Sequence, residues 1–161
     1  GANRLASNSM LEALVCAHAL ADTVGRLPRE RPAVAIPPWQ SGAAVPSDEA
    51  IVIAHNWNEV RTTLWDYVGI VRTDKRLERA RRRIDILRRE IQQYYYDCLV
   101  TADLLELRNI AAVGELIVRS AMQRRESRGL HYTLDCPGKQ PGTPRDTRIA
   151  DPPGSRVSEA R

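Results

Sequence analysis

The stretch Thr73-Asp74-Lys75-Arg76-Leu77-Glu78-Arg79-Ala80-Arg81-Arg82-Arg83-Ile84-Asp85-Ile86-Leu87-Arg88-Arg89-Glu90-Ile91-Gln92-Gln93-Tyr94 decides the fold. Leu77, Ala80, Ile84, Leu87, Ile91 and Tyr94 step by three and four residues, which puts them on one stripe of a helix and demands a facing partner. Thr73-Asp74 starts that helix. Upstream, Ser47-Asp48-Glu49 after Pro46 predicts the cap of another helix, whose Ile51, Val52, Val60, Leu64, Trp65 and Val68 recur at helical separations up to Gly69. The polar centre of that segment, His55-Asn56-Trp57-Asn58, is a weak spot that allows a break. Downstream, Thr101 caps a helix with Leu104, Leu107, Ala111, Gly114, Val118 and Ala121 on one stripe, widened by Leu105, Ala112 and Leu116. Gly114 and the alanines admit a close neighbour. Short turns at 69–72 and 98–100 force antiparallel neighbours, so residues 47–137 are expected to form an antiparallel three-helix bundle with a C-terminal strap.

Outside the bundle the signals change. Ser7, Asn8 and Ser9 precede the apolar residues Met10, Leu11, Leu14, Val15 and Leu20, with Glu12 expected in the first turn, so a separate helix is predicted from about Ser7–Ser9 to Gly25. Residues 26–46 hold Pro28, Pro32, Pro37, Pro38 and Pro46 and read as an extended linker. Residues 138–161 are Pro- and Gly-rich and are expected to be a disordered tail. No internal repeat is present. The fold class is mainly α.

At 161 residues and 18.1 kDa the chain has the size of one ordinary domain, typically ~100–150 residues, which excludes a large multi-step machine. Hydrophobic residues make up 43% and aromatics only 5%, with no Phe, so the core must be built from Leu, Ile, Val and Ala. The longest apolar runs are broken by Glu12, His18 and Glu115, short of the ~20 residues of a membrane span, and a soluble, cytoplasmic chain is expected. The opening residues lack a signal-peptide pattern and an initiating Met, so the chain is expected to begin in mid-protein. Cys16, Cys98 and Cys136 are odd in number and widely spaced, which reads as reduced thiols.

The formal charge of +4 is a modest excess of 24 basic over 20 acidic residues. The arginines of residues 75–89 could track a phosphate backbone, but Glu78 and Asp85 lie four residues before Arg82 and Arg89. Ordinary ion pairs on a solvated face, without nucleic acid, is the better reading. His18, His55 and His131 are too far apart in sequence for a helical metal motif, and no metal is expected. No GxGxxG, P-loop or GxSxG pattern occurs, so no self-contained active site is visible. The segment Gly1-Ala2-Asn3-Arg4-Leu5-Ala6-Ser7-Asn8-Ser9 is the exception. Its small and amide residues lead into a helix N-terminus, where N–H groups and the dipole favour an anion, and an arginine beside it could grip a carboxylate in two parallel hydrogen bonds. A simple helix cap is the alternative.

Four stretches of residues carry a resemblance to a known family. Residues 1–12, Gly1-Ala2-Asn3-Arg4-Leu5-Ala6-Ser7-Asn8-Ser9-Met10-Leu11-Glu12, resemble the flavin-contacting helix start of the fumarate reductase and succinate dehydrogenase flavoproteins. Trp65-Asp66-Tyr67-Val68-Gly69-Ile70-Val71-Arg72-Thr73, Leu105-Glu106-Leu107-Arg108-Asn109 and Glu126-Ser127-Arg128-Gly129-Leu130-His131-Tyr132-Thr133-Leu134-Asp135 are similar to the bacterial L-aspartate oxidases within that superfamily. The likeness runs in order over about residues 1–137, apart from the linker. Cys136 stands where that family commonly has Tyr, and the tail matches nothing in it.

The resemblance implies the C-terminal portion of an FAD-dependent enzyme that oxidises L-aspartate to iminoaspartate, the first step of de novo NAD synthesis, with oxygen or fumarate as electron acceptor and quinolinate synthase as a candidate partner. It implies that residues 1–25 are the end of the FAD-binding domain. Arg4 matches the arginine that binds a substrate carboxylate, and Ser9 and Met10 match the pair whose backbone contacts the flavin, Met10 replacing the usual Leu. The Glu126–Asp135 segment is expected to strap the bundle onto the flavin domain. The phosphate loop for FAD, the capping domain and the arginine acid/base are absent from these residues, so this chain alone is expected to be inactive. The alternatives are a non-enzymatic helical interaction module and a fragment of a succinate or fumarate flavoprotein.

Overall fold

A computed structural model describes Arg4 and residues 6–27, 35–47 and 50–150. Its elements are α1 (Asn8–Gly25), α2 (Ala50–Val68), β1 (Val71–Arg72), α3 (Asp74–Asp97), α4 (Ala102–Gln123) and β2 (Tyr132–Thr133). The chain forms two compact units that divide between Ser41 and Gly42, within the Pro-rich stretch.

In the second unit α2, α3 and α4 pack on one another as a bundle. Local chemistry sets the helix starts. The Thr73 hydroxyl accepts the Arg76 N–H at 3.2 Å and the Thr101 hydroxyl accepts the Leu104 N–H at 3.2 Å, each with an aspartate, Asp74 or Asp103, in the following turn to complement the dipole. Extended backbone at Cys98 ends α3 and turns the chain into α4. The stripe read from α4 is buried in full, and that of α3 is buried from Leu77 to Ile91, with Tyr94 half-buried. Val60, Ile84, Leu87, Ile91, Leu107 and Ala111 form one part of the core, and Val68, Leu77, Ala80, Val118 and Ala121 the other. Leu64 packs against both.

In α2 the structure departs from expectation twice. The helix runs unbroken through His55-Asn56-Trp57-Asn58, because Asn56 is buried and Trp57 packs on the core, while His55 and Asn58 face solvent. Ile51 and Trp65, expected on the core stripe, are instead 78% and 83% exposed, while Thr63 is buried. The expected cap at Asp48 and Glu49 lies outside the described residues. The end of the linker is pinned to the α3–α4 turn, where Val45 N–H donates to Asp97 O at 3.1 Å and Leu99 N–H to Val45 O at 2.8 Å. Ser47 is hydrogen-bonded to the Tyr94 hydroxyl.

The expected turn at 69–72 also contains a strand. β1 and β2 pair in parallel, Val71 against Tyr132 and Arg72 against Thr133, and the Leu134 N–H donates to Arg72 O at 3.0 Å. The strap therefore lies on the bundle itself. Residues 138–150 carry no helix or strand, yet they are tied down, since Ser127 N–H donates to Gly138 O and Arg124 reaches Arg145 O and Thr147. This part of the expected tail is anchored; residues 151–161 lie outside the described residues.

In the first unit α1 covers the predicted range but buries none of its residues, and Met10, Leu11, Leu14 and Val15 are all more than half exposed. Ser7 takes the N-cap position with left-handed backbone, φ 63°, following Ala6 at φ 53°, and its side chain makes no capping bond. Side-chain capping ordinarily uses a β-region residue, so this conformation forgoes it, and left-handed backbone costs a non-glycine residue ~1–2 kcal/mol.

Candidate functional site

Two places gather the residues singled out in the sequence. At the start of α1, Arg4 Nη1 donates to Glu12 Oε2 at 2.9 Å and Nη2 to Oε1 at 3.4 Å, a forked pair at the surface. Glu12 was expected to sit in the first turn and complement the helix dipole. With the helix beginning at Asn8 it lies beyond that turn, and its carboxylate fills the Arg4 fork instead. Ser9 and Met10 are exposed, and the Met10 N–H donates to Ser7 O at 3.1 Å. Arg4, Ser9 and Met10 thus belong to one helix start, with the positive end of the dipole directed outward.

The second place is the strap. Glu126 is buried, and its carboxylate accepts from Arg124 Nη1 at 3.0 Å, Arg128 Nε at 3.0 Å and the Gln140 N–H at 3.0 Å. These bonds hold its carboxyl below the ordinary glutamate value, the Gln140 N–H contributing most. Ser127 Oγ donates to Cys136 O at 2.8 Å and accepts the Thr133 N–H at 3.0 Å, which folds the segment back on itself. His131 bridges strap and bundle. Its Nδ1 lies 2.9 Å from Arg72 Nη1, a permanent donor, so Nδ1 accepts and Nε2 carries the proton toward Arg124 O at 3.3 Å. Burial, and then the Arg72 charge, push its pKa below the ordinary histidine value. Thr133 is buried, and its hydroxyl oxygen has no partner among the described residues.

The basic run on α3 is largely compensated. Arg81 and Arg82 both pair with Glu78, Arg89 with Asp85, Arg83 with Glu59 at 2.5 Å, and Arg88 with Glu115. Hydrogen bonds from Arg81 and then Arg82 hold the Glu78 pKa down to about 2. Arg108, in the third quoted motif, lies 4.6 Å above the Tyr95 ring. The three cysteines are free thiols, and among the described residues no group of three His, Cys, Asp or Glu side chains could hold a metal. No helix among the described residues is long and apolar enough to cross a membrane.

Sequence reading picked out the strap as a signature but missed Arg72 and Glu126 as its anchors. Both stood inside the quoted motifs, and the usable signal was an arginine in a turn beside apolar residues and a glutamate flanked by Arg124, Arg125 and Arg128.

The helical bundle closed by this strap falls within the part of the chain, residues 57–149, that matches the family described as the fumarate reductase flavoprotein C-terminus. The chain belongs to that family. It is 55% identical over 153 residues, 94% of its length, to the L-aspartate oxidase of Pseudomonas aeruginosa, and 57% identical over 138 residues, 85% of its length, to that of Yersinia pestis. A chloroplastic L-aspartate oxidase of Arabidopsis thaliana is 38% identical over 153 residues, 85% of this chain. The chain spans 28%, 26% and 24% of the length of these relatives.

Proposed function

We propose that this chain is the C-terminal portion of an L-aspartate oxidase, in which an FAD-dependent centre oxidises L-aspartate to iminoaspartate for NAD biosynthesis in the cytoplasm. The observation that carries the reading is identity above half over nearly the whole chain to a relative of that name. The Arg4 guanidinium already holds one carboxylate in forked geometry, that of Glu12, and a dicarboxylate substrate offers the same group. Exchange of Glu12 for a substrate carboxylate would orient aspartate beside the helix start.

The residues present fit a flavin edge rather than a whole flavin site. Ser9 and Met10 are exposed at a helix N-terminus, where the dipole favours negative charge, and a backbone contact tolerates Met at position 10. Bound FAD would take up the hydride that aspartate loses. This chain's own task is to bind the substrate carboxylate through Arg4 and to offer the positive end of α1 to the reduced ring. The remaining groups, the phosphate cradle, the capping domain and the proton-transferring arginine, belong to upstream domains in this reading. Oxygen or fumarate would be the acceptor, and quinolinate synthase a candidate consumer of the product.

Replacing the corresponding segment of the Pseudomonas aeruginosa enzyme with this chain tests the reading. The chimaera is expected to oxidise L-aspartate, and Arg4→Ala in it to raise KM for aspartate by at least about tenfold while FAD remains bound. The chain alone is expected to show no aspartate oxidation. A folded, flavin-loaded chimaera without activity, or one indifferent to Arg4→Ala, overturns the assignment.

A further inference from the structure

Arg72 is a half-buried cation with no carboxylate within ion-pair distance among the described residues. Its Nε donates to Val68 O at 3.2 Å and Gly69 O at 3.1 Å, and its Nη1 to His131 Nδ1 at 2.9 Å, so every partner is neutral. Of the neighbouring arginines, Arg124 and Arg128 are compensated by Glu126 and Arg125 by Asp74. Withdrawing a charge from water is unfavourable unless an opposite charge meets it, and Arg72 lacks one.

This guanidinium, together with that of Arg124, which Glu126 neutralises, lines an open cavity of about 340 Å³. One side of the cavity is apolar, formed by Val113, Leu116 and Ile117 of α4, which are 54%, 47% and 42% exposed. The other side carries the hydroxyls of Ser120 and Thr147. Thr147 Oγ1 accepts from Arg124 Nε at 3.2 Å and Nη2 at 2.9 Å, which leaves its own proton to donate elsewhere.

We propose that this cavity binds a carboxylate carried on a small apolar body, with Arg72 as counter-ion, Thr147 and Ser120 as hydroxyl donors and the Val113–Ile117 side of α4 as the apolar wall. A single uncompensated guanidinium matches one negative charge, and its planar fork matches the two oxygens of a carboxylate. The apolar wall selects against a bare inorganic anion. None of its residues belongs to the Arg4 helix start, and the proposal does not rest on the aspartate reading. The carboxylate is that of a free small molecule, since one charge and a volume of about 340 Å³ suit a single small body.

Methyl-resolved NMR of the full 161-residue chain tests this, with benzoate as probe, benzamide as its uncharged counterpart and the peptide acetyl-Leu-Asp-Leu-amide as a model of a packed segment. Benzoate is expected to shift the Val113 and Ile117 methyls saturably. Benzamide and the Arg72→Gln variant should each weaken binding by at least about tenfold, and Arg72→Lys less, because a point charge remains without the fork. Should Arg72→Gln perturb the Ile84 and Leu107 methyls of the core, Thr147→Val replaces it and is expected to weaken benzoate several-fold. Tighter binding of benzoate than of the peptide supports the proposal, and tighter binding of the peptide overturns it. Equal affinity for benzoate and benzamide, no loss in a folded Arg72→Gln or Thr147→Val chain, or no saturable shift with any probe overturns it.

Discussion

The Glu126 carboxylate accepts the Gln140 N–H at 3.0 Å, fourteen residues further along, and so closes the strap into a loop. The same oxygen accepts from Arg128 Nε, and Arg124 holds the other. Glu126→Gln removes the charge that both arginines share, and faster amide hydrogen exchange at Gln140 and Thr133 is the expected result. Because the folded carboxyl titrates below its ordinary value of 4.5, its contribution is present above that pH and lost as the pH falls below it. In the native chain the strap amides should therefore exchange faster, relative to the core amides of α3, as the pH drops below 4.5, and Glu126→Gln should abolish that difference.

His131 gives a second pH dependence at a higher value. Burial and Arg72 lower its folded pKa, so the unfolded chain takes up a proton first on acidification. Its contribution is complete above the ordinary 6.5 and declines as the pH falls from 6.5 toward the lowered folded value. Proton NMR should place the His131 midpoint below 6.5, and His131→Gln should flatten the slope of unfolding free energy in that window.

Thr133 is buried with an unsatisfied hydroxyl oxygen, in a strand position that suits a β-branched residue. Thr133→Val keeps the shape and removes the group that gains nothing from burial. A gain of ~1 kcal/mol is expected from urea denaturation, with the m-value unchanged.

Gly114 sits where α4 meets α2, and a Cβ there would lie 3.2 Å from Leu64 Cδ1. Leu64 packs on both parts of the core, so it has little room to retreat. Gly114→Val is expected to destabilise the bundle by ~1–3 kcal/mol in the same denaturation measurement. Gly114→Ala should cost less, since better helix propensity offsets a smaller intrusion.

The bundle was legible because its determinants are local. Thr73 and Thr101 announce their helices within four residues, and the α4 stripe from Leu104 to Ala121 is buried as its spacing requires. α2 was read less well because apolar type was taken as a guide to facing. The inner face of α2 includes Asn56 and Thr63, while Ile51 and Trp65 fall outside the two directions from which α3 and α4 approach. The β1–β2 pair was invisible, since two residues carry no period and their partners lie sixty-one positions away. At the candidate site, Arg4 could be matched to a carboxylate-binding role, but its pairing with Glu12 depends on where α1 starts. The Arg72–His131 contact joins two separate motifs, and neither motif alone discloses it.

The parallel pairing of Val71 with Tyr132 encloses the whole of α3 and α4 between its two strands. Closing so long a loop carries an entropic cost that only the packed helices can offset, so the ribbon can form only after they have docked. In folding order the strap is then the last piece to close and the first to open. Within the second unit, a protease would therefore reach the segment from Glu126 to Asp135 once the strap opens, while the three helices still hold together.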